Sequence, residues 1–547
     1  MKKGILAEQT FNQGAAVLLL STVLVKIIGA FFKIPLSSDF CLGDLGFGYF
    51  ASVYDIYVPI YTLAISGFPV AISKVISDYS CGDNKDRVHT ALKLFMRMLF
   101  IIGIIGFVIT ILCIKPFVSV TDKSGKTAYT MLAMAPALLF CCLSSVYRGT
   151  FEGYRNMTPT AISNVIEALS KVLFGFIGAF ITVKLTNNLA LGAAAAMLGI
   201  TVGTVLSFIY LKITFGKFYK NSNCYAIDSN YEYNGIFKNM LLVCLPIVFT
   251  SLAGSIVSLI DAVSVKWLMS EMIESNSDAL ISSINGYFSA LPEIESIPTF
   301  LYGLRSKAYT LFYLAPTFTS ALSISALPMI SAAFTSKKYQ KARFDISSLI
   351  KFSSVISFPI AFGFIFAGTP VTALLYGDAT SLAGGKILTI FGFAAASAGL
   401  SMSLATVLQG IGKQNVVFIN FTVGLILKLL SNIILVSIPK LNIFGSAIST
   451  LICYCYVLTV LTFSLKKSGF LPEIKDTVLK SFFAALLCGI TAFIICSFSA
   501  NKLITVLAIF VAGVVYLTFL LMFKTFNKSD FEDLPLGNRL IKLLKLT

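Results

Sequence analysis

The sequence predicts an all-α polytopic membrane protein of about 14 transmembrane helices, arranged as two parallel six-helix repeats with two further helices appended. Three observations carry this reading. Of 547 residues, 57% are hydrophobic and 12% charged, with a mean hydropathy of +0.87, which leaves too little polar surface to cover a water-soluble globule of this size. Continuous Leu/Ile/Phe-rich runs of membrane-crossing length follow one another along the chain, without the residue-by-residue alternation of a transmembrane barrel. Finally, two motifs recur at nearly one offset.

The first run, 14–36, contains "VLLLSTVLVKIIGAFFKIPL". It is too long for a signal-peptide core and has no small-residue cleavage site, so it reads as a retained helix. Next come 47–77, with "YDIYVPIY" and "SGFPVAISK", then 91–114, 128–147 leading into "YRGTFEG", 159–183 and 189–213. The second set is 238–265, 298–333, 347–375, 384–411, 414–438 and 442–465, and the appended pair is 477–498 and 502–523. Each qualifies by length and by near-absence of charge.

"SGFPVAISK" with Pro69 is echoed by "SISALPMIS" with Pro328, an offset of 259, and "YRGTFEG" with Gly149 by "VLQGIGK" with Gly410, an offset of 261. Asn156 to Lys171 followed by "LGAAAAM" is matched in the second half by Asn415 to Lys428 followed by "FGSAIST". A duplicated unit of six helices accounts for all of these. The expected organisation is an N-lobe over 1–220, a C-lobe over 221–466, and helices 13 and 14 with a cytoplasmic tail over 467–547. An even number of helices per copy makes the copies parallel, the plan of transporters whose two lobes rock about a site. Pro69, Pro328 and Pro359 fall inside helices, either as fixed kinks shaping a cavity wall or as hinges.

The net charge of +17 is distributed as the positive-inside rule requires if the N-terminus is cytoplasmic. Lys2, Lys3, Lys85, Arg87, Arg148, Arg155, Lys217, Lys220, Lys337, Lys338, Lys341, Arg343, Lys466 and Lys467 fall on the inner side, against a few outer residues such as Lys123, Lys126 and Lys440. Both termini are then cytoplasmic, and no nucleic-acid partner is needed to explain the charge. One outer loop, about 267–297, is acidic, with Glu271, Glu274, Asp278, Glu293 and Glu295. Cysteines such as Cys141, Cys142, Cys453 and Cys455 lie in apolar spans with no histidine beside them, so they read as small core residues, not as a metal site or a thiol enzyme.

Lys26 and Lys33 stand seven residues apart, nearly on one helix face and about 10 Å apart along the axis. A charge at the bilayer centre costs at least about 2.5–3.5 kcal/mol, so intramembrane ions are functional candidates by default. Asp55 lies in helix 2, Asp261 and Lys266 close helix 7, and Arg305 and Lys307 lie in helix 8. If these opening helix pairs face one another, they line a cationic cavity suited to a polyanion. Other readings stay open. Lys33 and Lys266 snorkel or bind ligand; Lys26 binds ligand or pairs with Asp55; Arg305 and Lys307 belong to helix 8 or to the acidic loop. Glu167 and Lys171, at i and i+4, read as an internal ion pair, and Lys171 and Lys428 are candidates for a cavity or groove. Asp55, Asp261 and Glu167 are candidate coupling carboxylates. No GxxxxGK[ST] phosphate loop occurs, so the expected drive is Na+, H+ or the membrane potential, with no cofactor.

"KIIGAFFKIPLS", "SGFPVAISKVISD", "YRGTFEGYRNMTPTAISNVIEALSKV", "LYGLRSKAYTLFYLAPTFTSALSISALPMIS" and "LQGIGKQN" together resemble the stage V sporulation protein B and polysaccharide-biosynthesis branch of the MOP exporter superfamily. That superfamily also holds the MurJ lipid II flippases and the MATE exporters. The resemblance runs along nearly the whole chain, and it implies alternating-access transfer of undecaprenyl-pyrophosphate-linked sugars across the cytoplasmic membrane, with no covalent chemistry. It further implies a MurJ-like count of 14 helices, the last two shaping a groove for the lipid tail. Lys26, Lys33, Arg305 and Lys307 would face the pyrophosphate, while Asp55 stands in helix 2 where MurJ-like members carry arginine. The implied partners are the lipid-linked sugar, the bilayer and cell-wall synthesis machinery, with the protein a monomer. The rival readings are a flippase for another surface polysaccharide, a cation-coupled exporter of drugs or metabolites, and a glycolipid enzyme using Glu293 and Glu295.

Overall fold

The computed structural model describes residues 11–80, 85–221, 256–288, 291–473, 478–498 and 501–526. Among these there is no strand, and nearly all are helical. The first copy comprises α1 (Phe11–Ser37), α2 (Gly43–Thr62), α3 (Phe68–Ser80), α4 (Lys85–Thr121), α5 (Thr127–Gly153), α6 (Thr158–Ser170), α7 (Ile177–Thr186) and α8 (Leu189–Asn221). It is followed by α9 (Ile256–Ile284), α10 (Ile297–Phe312), α11 (Leu314–Thr335), α12 (Tyr339–Tyr376), α13 (Ser381–Gly410), α14 (Gln414–Val436) and α15 (Asn442–Lys467), then by α16 (Lys480–Phe498) and α17 (Lys502–Met522). One π turn, Leu63–Gly67, joins α2 to α3 and another, Lys171–Phe176, joins α6 to α7, so each pair forms one span.

Among the described residues, 12 helical spans are long and apolar enough to cross a membrane, or 13 if the pair Ile294–Ser323 and Ala326–Thr335, bent by 43°, counts as one. The chain is a multi-pass membrane protein. Of the expected seventh helix, 238–265, the part before Ile256 lies outside the described residues, and the count of 14 is not fixed by the rest. Rows of exposed apolar side chains, such as Ile101, Ile105, Val108 and Leu112 on α4, present the surface that lipid requires.

Two expectations are corrected. The acidic stretch 267–297 is not one loop: α9 runs on to Ile284, with a break in helical geometry at Asn276. Glu271, Glu274 and Asp278 therefore lie on a helix, and Lys123 pairs with Glu274. Polar residues lowered the apparent length of the span, but helix geometry does not stop where hydropathy does. Arg148 is not a loop charge either, because α5 continues to Gly153 and leaves Arg148 1% exposed.

The residues group into two compact units, one of 1–280 with 290–306 and one of 281–289 with 307–547. The duplication is legible in packing within each. In the first unit, a side chain on Gly149 of α5 would strike the Pro69 carbonyl and Ile72 of α3, at 2.7 and 2.6 Å. In the second, a side chain on Gly410 of α13 would meet Ile330 and Leu327 of α11, at 2.9 and 3.7 Å. Likewise Gly192 of α8 sits against Val183 of α7, and Gly445 of α15 against Leu435 and Val436 of α14. Small residues let helix backbones approach where lipid gives no hydrophobic drive for association. The appended helices pack in the second unit against α12, with Ala484, Ala485, Cys488 and Tyr516 beside Phe358 and Ala367, and the Tyr516 hydroxyl donates to the Val355 carbonyl at 2.7 Å.

Adding a methyl at Gly149 or Gly410 should therefore overpack equivalent interfaces and lower stability by about 1–3 kcal/mol. Gly216, which has no neighbour within 4 Å of an added Cβ, serves as the control. Thermal unfolding of Gly149→Ala, Gly410→Ala and Gly216→Ala in detergent should show a lowered midpoint for the first two only.

Candidate functional site: buried charges of the first unit

The first unit gathers most of the ionic residues singled out in the sequence. Its geometry starts with a helix crossing: a Cβ on Gly48 of α2 would strike the Thr299 carbonyl of α10, and one on Gly303 of α10 would strike the Asp44 carbonyl of α2. Two turns further along α2, this backbone contact brings Asp55 beside α10, where the Tyr302 hydroxyl donates to Asp55 Oδ2 at 2.7 Å. Asp55 is 7% exposed. Its hydrogen bond comes from Tyr302 and not from Lys26, although Lys33 and Arg305 lie within electrostatic reach.

Next to this pair, Arg305 of α10 forms an ion pair with Asp261 of α9, and neither side chain has exposed surface. The expected placement of Arg305 in helix 8, and not in the acidic loop, is what is observed. Lys266 does not close a helix or snorkel: it lies within α9, fully buried, with its ammonium donating to Ser52 Oγ at 3.4 Å. Lys33 of α1 turns its ammonium onto the Tyr54 ring, 4.2 Å from the centroid, and remains partly exposed. Lys26, a further two turns back on α1, is also partly exposed.

A stripe of aromatic rings runs along α2 from this group. Phe50, Tyr54, Tyr57 and Tyr61 follow one another with centroids 5.4, 6.3 and 5.2 Å apart, the first pair stacked and the others tilted. At its far end the Lys171 ammonium lies 4.6 Å from the Tyr61 centroid and 3.3 Å from Glu167, so the expected i,i+4 pair is present. Sequence reasoning missed its third member. Arg148 Nη2 donates to Glu167 Oε2 at 3.2 Å and to Ser207 Oγ at 3.1 Å, while Nε donates to Ser163 Oγ at 3.2 Å. One π turn begins at Lys171 itself and the other at Leu63, two residues past Tyr61, and π turns often mark functional positions.

Two candidates lie in the second unit. Lys307 is 2% exposed; the Tyr376 hydroxyl donates to its carbonyl at 3.1 Å, and its ammonium lies 5.5 Å from the Tyr376 centroid. Lys428 is fully buried between α14 and α15, donating to Thr450 Oγ1 at 2.6 Å, with Asn432 and Ser449 hydrogen-bonded nearby. Among the described residues, no group of three or more His, Cys, Asp or Glu is placed to hold a metal.

The family model described as polysaccharide biosynthesis protein matches residues 11–334. This chain belongs to the polysaccharide biosynthesis protein family. A second model, lipid II flippase MurJ, matches residues 307–527 of this family member. Its relatives in Bacillus subtilis strain 168 include stage V sporulation protein B, 25% identical with 98% of this chain and 100% of that protein covered. They also include lipid II flippase MurJ, 26% identical with 81% and 80% covered, and the membrane protein YabM, 25% identical with 97% and 96% covered. Among solved structures, lipid II flippase MurJ in an inward closed conformation superposes with a TM-score of 0.67 at 17% identity, covering 92% of this chain and 98% of that one. An inward-facing MATE multidrug transporter of the MOP superfamily gives 0.58 at 14% identity, covering 83% and 99%. The MOP-type fold and the polysaccharide-biosynthesis family read from sequence both hold.

Removing one partner of a fully buried ion pair strands the other and costs about 3–5 kcal/mol. Glu167→Gln should therefore destabilise this family member on that scale, and Arg148→Met with Glu167→Gln should recover part of the loss. Thermal melts of the two single variants and the double variant check this as a mutant cycle.

Proposed function

We infer that this protein is a flippase that moves an undecaprenyl-pyrophosphate-linked oligosaccharide across the cytoplasmic membrane by alternating access, with lipid II the favoured cargo. The observation that carries this reading is Lys33: a partly exposed ammonium on a membrane-spanning helix, cushioned by Tyr54, with no hydrogen-bond or ion-pair acceptor among the described residues. A diphosphate supplies charge-assisted hydrogen bonds to such a group, strengthened at low dielectric. Lys26 on the same face extends the cationic stripe, and the prenyl tail stays in lipid while the head group crosses. Arg305 and Lys307 are both buried and Arg305 is held by Asp261, so the reading rests on Lys33 and Lys26. Both termini lie in the cytoplasm, the protein acts as a monomer beside the cell-wall synthesis machinery, and an ion gradient or the membrane potential drives it.

A flippase for another surface polysaccharide is the second reading, favoured because stage V sporulation protein B and YabM resemble the chain about as well as MurJ does. Depletion of the protein in its own host, followed by a leaflet-resolved assay of lipid II and other undecaprenyl-linked sugars, separates the two. Lipid II trapped on the inner leaflet supports the first reading. Another trapped glycolipid with normal lipid II supports the second, and no trapped lipid at all refutes both.

Lys33→Ala and Lys26→Ala should insert and melt like the parent but flip at least about tenfold more slowly, the worth of one hydrogen bond to a charged group. Full activity of Lys33→Ala in reconstituted vesicles would remove the diphosphate from this position.

A further inference from the structure

The buried triad of the first unit is unbalanced. Arg148 Nη2 lies 3.2 Å and the Lys171 ammonium 3.3 Å from the Glu167 carboxylate, so two cations share one anion. Among the described residues no second carboxylate is paired with either cation, and Glu152, one turn along α5 from Arg148, makes no ion pair with it. One positive charge is left over inside a membrane span, where an unmatched ion is costly and marks a functional position. The Arg148 and Glu167 side chains are each 1% exposed, whereas Lys171 keeps 12%, so the surplus charge is presented at Lys171. Its exposed neighbours Leu169 and Leu173 are apolar, as a lipid-facing surface requires. Lys171 instead turns onto Tyr61 of α2, its ammonium 3.5 Å from the hydroxyl and 4.6 Å from the ring centroid. Lys33 repeats this arrangement on the same helix, 4.2 Å from the Tyr54 centroid. Tyr54 and Tyr61 are both partly exposed and stand seven residues apart, about 10 Å along the α2 axis.

We propose that Lys171 binds a carboxylate borne by the sugar portion of the cargo, so that the preferred substrate is an acidic glycolipid diphosphate. A ligand carboxylate at Lys171 completes an alternating row: Arg148 positive, Glu167 negative, Lys171 positive, ligand negative. Its single negative charge matches the single surplus positive charge of the triad. The flippase reading puts the diphosphate at Lys33, and the rings under the two ammonium groups are about 10 Å apart along α2, a gap that a short saccharide bridges. Tyr54 and Tyr61 present partly exposed rings at the two ends of that gap, and the polarised C–H face of a sugar suits the negative face of an aromatic ring. The α2 stripe thus reads the head group at two stations, the diphosphate at Lys33 and an acidic sugar at Lys171.

The inference rests on the flippase reading, and the experiment separates the two. The probes are two farnesyl-diphosphate-linked disaccharides, one ending in glucuronic acid and the other in glucose, each titrated onto the full-length protein in lipid nanodiscs at neutral pH. The parent should bind the acidic probe at least about tenfold more tightly, the worth of one hydrogen bond to a charged group. Lys171→Gln leaves Arg148 and Glu167 as a matched pair, so it should melt like the parent. It should nevertheless bind the two probes alike, having lost affinity for the acidic one only. Lys171→Arg keeps the charge and should keep the preference. A parent that binds both probes equally overturns the assignment of Lys171, as does a preference that persists in Lys171→Gln; either result leaves the flippase reading standing. A parent that binds neither probe overturns both.

Discussion

A charge inside a membrane must be neutralised by the protein that carries it there. Water is absent from the hydrocarbon, and the cost of an uncompensated ion exceeds what helix packing returns. Much of the first unit can be understood as an answer to that constraint. Arg148, Glu167 and Lys171 compensate one another, with Ser163 accepting from Arg148 Nε and Ser207 from Nη2. Arg305 and Asp261 do the same across α9 and α10. These pairs need helices held at fixed distances, because a guanidinium and a carboxylate that drift apart each become a buried orphan.

Glycine supplies the fixed distances. Gly48 and Gly303 bring α2 and α10 to backbone contact, and the Tyr302–Asp55 hydrogen bond follows from that crossing. Gly149 and Gly410 hold the corresponding interfaces of the two copies, as do Gly192 and Gly445. The two copies have kept these close approaches while their polar content diverged: where the first carries Lys171 with Glu167, the second has Lys428 with Thr450. Packing is therefore what the duplication shares, and chemistry is where the copies differ.

The same division explains what was legible in the sequence. Apolar runs and the family motifs report packing or lipid contact, and the multi-pass helical fold and the family were legible from them, while the count of 14 spans is not fixed by the described residues. The i,i+4 spacing of Glu167 and Lys171 was equally visible, because a helix places such residues together by itself. Arg148 was hidden because a hydropathy window ends a span at its first charge, while the helix continues to Gly153. Lys266 was hidden in the same way by the polar residues that follow it in α9. The signal that was available is tyrosine spacing: Tyr54, Tyr57 and Tyr61 in "YDIYVPIY" fall on one helical stripe, too polar for lipid and placed to receive cations. The pairing of Arg305 with Asp261 and of Tyr302 with Asp55 was not legible, since it depends on which helices cross.

These commitments also bear on the sign of the cargo. An exporter of organic cations needs a carboxylate free to meet its substrate. In the first unit, Glu167 is shared by two cations, Asp261 is bound to a guanidinium, and Asp55 is engaged by Tyr302 and faced by Lys33. An incoming cation would have to displace a resident one from Glu167 or Asp261, at a cost comparable to breaking a buried ion pair, and would find Asp55 already accepting the Tyr302 hydroxyl. An incoming anion meets the opposite situation at Lys33, whose ammonium rests on an aromatic face. A cation–π contact of this kind holds the group by only about 0.5–2 kcal/mol, little enough for a diphosphate to outcompete. The asymmetry comes from which partners are strong and which are weak, and it favours an anionic head group even where the count of positive and negative residues is nearly even.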